Sequence, residues 1–175
     1  AMAAGLYGQV AAHLKNLDHM TGYVVRLHYY YRWIGKTAAG RQQWQAFLAQ
    51  RGYADDQSLK RLYDAGENIH LADGTIMLPS EERYGNRSDR RGIGLWRMVQ
   101  QFGQERMTAA MEEIIKAIRA QDPVKPIRLM FAQSYEPQTR ETSGFSQTDF
   151  HRLAQRYNGM VHVECYEWPV HPAKD

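Results

Sequence analysis

The chain predicts an α+β fold, a single small sheet packed against helices. Two observations carry that expectation. The spacing of apolar residues switches between a helical period of three to four (Leu6–Met20, Leu95–Ala120) and a strand period of two (Tyr23–Ile34, Met160–Trp168). Helical and strand-like stretches also interleave without regular βαβ alternation. With 175 residues, 43% of them apolar, the chain can bury an ordinary core without disulfides or metal.

Leu6, Val10, Leu14 and Leu17 recur at three and four residues and predict a first helix with one apolar face, ended by Gly22. The stretch YVVRLHYYYRWI, between Gly22 and Gly35, alternates. Tyr23, Val25, Leu27, Tyr29, Tyr31 and Trp33 share one face, and Val24, Arg26, His28, Tyr30, Arg32 and Ile34 the other. Its β-branched and aromatic composition favours a strand over a helix continuing from Met20. A turn over Gly35–Gly40 leads to a short helix over Arg41–Gln50, with Trp44, Phe47 and Leu48 inward and Gly52 as its C-cap. Asp56 or Asp55 caps the next helix, whose inner face is Leu59, Leu62 and Tyr63.

Asp73-Gly74 between the short apolar arms of residues 68–78 predicts a hairpin with a type I′ turn. A long helix over 95–120 carries the stripe Leu95, Met98, Val99, Phe102, Met111, Ile114, Ile115 and Ile118, and Asp122-Pro123 stops it. Residues 127–132 read as a short buried strand. Ser146 caps a helix over Gln147–Tyr157 that ends at Asn158-Gly159, and residues 160–168 form the last strand. One domain over 1–175 is expected, with 169–175 as a frayed tail; the ends also suit a fragment of a larger protein.

Composition narrows the function classes. Mean hydropathy of −0.62 and the lack of an apolar run of about eighteen residues argue against a membrane-spanning helix. The start, Ala1-Met2-Ala3-Ala4, lacks a basic region followed by an apolar run, so no signal peptide is expected. A single cysteine, Cys165, permits no internal disulfide and suits a reducing, cytoplasmic compartment. It also removes zinc sites built on several cysteines. A net charge of +3 and a pI near 9.0 are compatible with a polyanionic partner without requiring one.

The densest chemistry lies between Met77 and Arg106. Arg83, Arg87, Arg90, Arg91 and Arg97 fall among Gly85, Gly92 and Gly94, directly before the long helix. A guanidinium-rich loop feeding a helix N-terminus suits an anion, because unpartnered N–H groups and the helix dipole favour negative charge. Arg87, Arg90 and Arg91 would reach a phosphate, Asn86 or Ser88 would add hydrogen bonds, and Tyr84 and Trp96 could stack. The plainer reading is a solvated loop whose arginines pair with Glu81, Glu82 and Asp89.

A second candidate is the polar row Arg26, His28, Tyr30 and Arg32. It suits a nuclease or phosphotransfer surface, or an open face stacking single-stranded RNA; an ordinary half-exposed strand is the plainer reading. A third is the last strand, where His162 and Glu164 share a face and could serve one proton transfer or one metal, with His151 or His70 as a further ligand. Here too a solvent-facing strand without ligand is the plainer reading. Cys165 alternates with these residues and should point inward.

Gly22-Tyr23 followed by Trp33-Ile34-Gly35-Lys36 faintly resembles the two strand motifs of GIY-YIG nucleases. The first motif lacks its isoleucine, the second has tryptophan for tyrosine, and the gap is too short for the hairpin between them. No family is assigned on this basis.

The function expected is binding of nucleic acid or another phosphate-bearing ligand through the arginine loop, extending to a small nuclease or toxin-like enzyme domain with His28, Tyr30, His162 and Glu164 as catalytic candidates. The alternative is a non-catalytic protein–protein module, a homo-oligomer or a subunit of a larger assembly. Its warrant is an abundance of Tyr, Trp, Met and Arg, residues enriched at interfaces. No membrane partner is expected, and no cofactor is indicated.

Overall fold

The computed structural model describes residues 2–26, 37–63, 68–79, 93–133 and 147–165. In chain order these form α1 (Met2–Leu14), β1 (Tyr23–Arg26), α2 (Ala38–Ala49), α3 (Asp56–Leu62), α4 (Ile93–Arg119), β2 (Ile127–Gln133), α5 (Gln147–Arg156) and β3 (Met160–Cys165). The fold is α+β, as the changing periodicity predicted. The chain divides into two compact units. The first comprises Ala1–His28, Thr108–Glu141 and Phe145–Asp175, and the second Tyr29–Met107 and Thr142–Gly144.

The first unit holds a three-stranded parallel sheet in the order β1-β2-β3. Tyr23 pairs with Ile127 and Val25 with Leu129, which in turn pairs with Val161. These residues share one face. Tyr23, Val25, Ile127 and Leu129 are buried and Val161 half-buried. The strand order explains why burial is one-sided. Parallel crossovers are almost always right-handed, and an order that never reverses sends every connecting helix to the same face. On that side lie Met111, Ile114, Ile115 and Ile118 of α4 and Phe150 and Leu153 of α5, all buried. Residues 127–132 were expected to form a short buried strand. Instead Arg128 is exposed between buried neighbours, because nothing among the described residues covers the second face.

Glycine admits both outer strands to the central one. A Cβ on Gly22 would stand 2.6 Å from the Pro126 carbonyl oxygen, and one on Gly159 2.8 Å from that of Ile127. Gly22 had been read as a helix breaker and Gly159 as part of a helix C-cap. The left-handed residue at the end of α5 is Asn158 (φ 49°), and the Gly159 N–H returns to the Ala154 carbonyl at 2.8 Å. Arg119, at the end of α4, closes the same end of the sheet. It donates to the carbonyls of Lys125 (2.6 Å) and Tyr157 (3.0 Å), in the segments that lead into β2 and β3.

Beside it, buried Asp122 accepts from the N–H groups of Val124 (3.1 Å) and Lys125 (3.0 Å) and from the Tyr23 hydroxyl (2.9 Å). Burial opposes the charge on Asp122, but the donors from Lys125, Tyr23 and Val124 outweigh it and lower the carboxyl pKa. Burial and the Asp122 carboxylate push Tyr23 the other way, up to about 12.

The first helix departs from expectation. It spans Met2–Leu14, and its predicted apolar face looks outward, with Leu6 60% and Val10 41% exposed. Small residues make its contact instead. Ala11 is fully buried, and Gly8 lies so close to α4 that a Cβ there would touch that of Ala117 at 3.5 Å. Backbone proximity, not side-chain bulk, chose the inner face.

The second unit packs around Trp44, which stacks on Phe47 (5.4 Å between ring centroids) and meets Phe102 edge-on (5.2 Å). Leu48, Leu59, Tyr63, Ile76, Leu95 and Val99 complete this core. Thr37 caps α2 and Asp55 caps α3, the latter in a reciprocal capping box with Ser58. Gly52 (φ 84°) ends α2, with Gly52 N–H to the Ala49 carbonyl and Tyr53 N–H to that of Leu48.

The hairpin forms at the predicted place but with a different turn. Only Gly74 has positive φ (76°), and the Gly74 N–H closes onto the Leu71 carbonyl, a three-residue loop rather than type I′. Asp73 is held otherwise because its carboxylate accepts from the Thr75 N–H (3.0 Å) and from Arg41 of α2 (2.8 Å). The hairpin arms were expected to join the sheet; their one bridge, His70 with Ile76, stands outside it. Side chains occupy the carbonyl of Met77 that a neighbouring strand would use: Trp44 Nε1 donates to it at 3.2 Å and the Tyr63 hydroxyl at 2.6 Å.

Two outcomes follow. Gly159→Ala lowers unfolding stability by about 1–3 kcal/mol, the usual cost of overpacking, read from urea midpoints at unchanged slope. Tyr23→Phe costs about 1–3 kcal/mol at neutral pH by leaving a buried carboxylate short of a donor. It also alters the alkaline limb. The folded-state pKa of Tyr23 is raised, so its contribution is whole below pH 10 and lost as pH climbs towards 12. Wild type should therefore lose stability relative to Tyr23→Phe across that window, and parallel curves would refute the pairing.

Candidate nucleic-acid interface

The uncovered face of the sheet collects residues from all three strands. In register, Val24, Arg128 and Met160 form one row, and Arg26, Met130 and His162 the next. Val24 is 49% and Met160 46% exposed; Arg128 and His162 are exposed, and Arg26 and Met130 half-buried. Strands lie about 4.8 Å apart and alternate residues rise about 6.6 Å, so the face is a lattice of that mesh. Basic and apolar side chains alternate over these two rows, and the register continues to Ala132 and Glu164. An exposed face is unusual for a parallel sheet, which is normally covered on both sides.

Two sequence candidates meet here. The polar rows of the first and last strands were separate proposals, and parallel pairing through β2 puts Arg26 and His162 on one face, two strands apart. Arg128 and Met130 were missed, because 127–132 read as an interior strand. The signal was an arginine between Ile127 and Leu129, an alternation that a strand covered on both faces would not show.

By register Glu164, two residues beyond His162 on β3, follows it on this face. His28, Tyr30, Arg32, Arg83, Tyr84, Asn86, Arg87, Arg90 and Arg91 lie outside the described residues, as does Ser146. Glu164 is placed by its backbone, which pairs with Ala132 next along β3 from His162; its side chain, like that of Cys165, lies outside the description. Arg97 is exposed on α4 and belongs to the second unit. His151 is exposed on α5. His70 belongs to the second unit, with Nε2 3.0 Å from Asp56 Oδ1. Among the described residues, no three His, Cys, Asp or Glu side chains are grouped to hold a metal ion.

A separate polar cluster joins α5 to α4. Glu112 accepts from the Tyr157 hydroxyl (2.7 Å) and from Arg156 (2.8 Å), with Lys116 at 3.8 Å. The Tyr157 hydrogen bond is the main reason the Glu112 pKa is lowered, and the same bond raises that of Tyr157. The geometry is that of a structural tie between helices. Among the described residues, no helix is long and apolar enough to cross a membrane. No protein-family model, curated protein or solved structure matches this chain.

Proposed function

We propose that this protein binds phosphate-bearing ligands, nucleic acid foremost, on the open face of its sheet. One observation carries the reading: Arg128 and His162 are exposed on one sheet face, which half-buried Arg26 shares. Guanidinium groups pair with phosphate oxygens in a planar fork, and a rigid sheet fixes their spacing in advance. The basic balance of the chain, +3, adds long-range attraction. The arginine loop of residues 83–97 supports the same class of ligand from the sequence alone. A nuclease activity would draw on His162 and Glu164, with His28 and Tyr30 following β1 in the chain.

A second reading, a protein–protein module, draws on the outward apolar residues of α1. Leu6 and Val10 expose more of themselves than a helix settled on its own core requires.

The test of the first is binding to labelled nucleic acid across a salt series. Affinity should fall steeply with salt, and Arg128→Ala should weaken binding about tenfold at low salt while reducing the log–log salt slope by about 0.7–0.9, one phosphate contact. Arg128 is exposed, so the variant should keep its unfolding midpoint. An unchanged slope would remove the sheet face from the account. Substituting Arg87, Arg90 and Arg91 by alanine tests the loop separately. The module reading predicts a solution mass above that of a monomer, reverting when Leu6 and Val10 become serine.

A further inference from the structure

We infer that the open sheet face is built for single-stranded rather than duplex nucleic acid, a specialisation that rests on the reading above. Chemistries alternate over two rows of the face. Val24, Arg128 and Met160 run apolar–cationic–apolar across one row, and Arg26, Met130 and His162 run cationic–apolar–imidazole across the next. At this mesh every cation has an apolar neighbour about 5–7 Å away.

A duplex presents phosphates outward and hides the flat surfaces of its bases. Against this lattice it would bring phosphates to Arg128 but set Val24 and Met160 against charged backbone, desolvating phosphates for no apolar gain. A flat three-stranded face also does not enter a groove that admits a helix or a two-stranded ribbon.

A single strand offers the matching alternation, with an anionic backbone and, within one nucleotide of it, an unstacked apolar base. Its phosphates can lie on Arg26 and Arg128 while its bases rest on the side chains of Val24, Met130 and Met160 and on the His162 ring. Exposure fits this division. Val24 and Met160 expose nearly half their surface, an apolar cost that a stacked base would remove. The thioethers adapt to any base, so the surface should be tolerant of sequence.

The experiment compares matched labelled oligonucleotides, single-stranded and duplex, bound by the full chain at several salt concentrations. Wild type should prefer the single strand by about tenfold. Met160→Ser and Val24→Ser, both at exposed positions, should each weaken single-strand binding about three- to tenfold with the salt slope unchanged, and neither should weaken duplex binding. Circular dichroism and the urea midpoint confirm that each variant is folded.

Equal affinity for the two forms, with a normal salt slope that Arg128→Ala reduces, overturns the single-strand inference and leaves the phosphate reading standing. Serine variants that bind the single strand as wild type does overturn it as well. Absence of binding to either form at low salt overturns both.

Discussion

Close approach of backbones at the start of the parallel sheet is the constraint on which the first unit depends. β1 and β3 are each preceded by a glycine, Gly22 and Gly159, where the chain comes so near a carbonyl of the segment opening β2 that no Cβ fits without a shift. Arg119 and Asp122 hold the same corner, one gathering carbonyls and the other N–H groups. These contacts fix the register, and the register decides which side chains share a face. A slip of one residue would turn Arg128 and His162 inward and put Leu129 and Val161 in water. The candidate surface is therefore a consequence of how the far end of the sheet is clamped.

The direction of strand addition has an equal share. Because β2 is added beside β1 and β3 beside β2 without reversal, the described helices of the first unit cover one face. A doubly wound sheet, with its strand order reversing, would cover both faces and place a ligand crevice at the reversal. With no reversal among the described strands, the sheet offers a broad face instead of a crevice. A broad, rigid, two-chemistry surface suits an extended ligand better than a compact one.

The second unit follows a different logic. Its centre is an aromatic group, Trp44, Phe47 and Phe102, whose polar edges are satisfied by Tyr63 and the carbonyl of Met77. Arg51 lies over the Phe47 ring at 3.6 Å and pairs with Glu105, so one guanidinium joins packing and charge. These contacts account for the order of α2, α3, the hairpin and the first turns of α4.

Periodicity and cap chemistry by themselves determined most of the local structure. The stripe from Leu95 to Ile118 located the long helix and most of its buried residues, missing Met107, because a helix of that length must hide one side. Asp55, one of the two residues read as a cap, and Gly52 marked their helix ends through hydrogen bonds that span only a few residues. The alternation in β1 assigned its faces correctly for the same reason, with Tyr23 and Val25 buried and Val24 exposed.

What needed the tertiary structure was everything decided between distant segments. The small residues of α1 won its inner face because α4 lies close enough to exclude Leu6 and Val10. Gly159 proved to be a spacer against Ile127, and Asp73 took its conformation from Arg41 and Thr75. Arg128 could not be recognised as surface until the strand order left one face of the sheet uncovered. Local sequence encodes what a few neighbouring residues can enforce. Which face meets water depends on the order in which strands assemble, and that is a property of the whole chain.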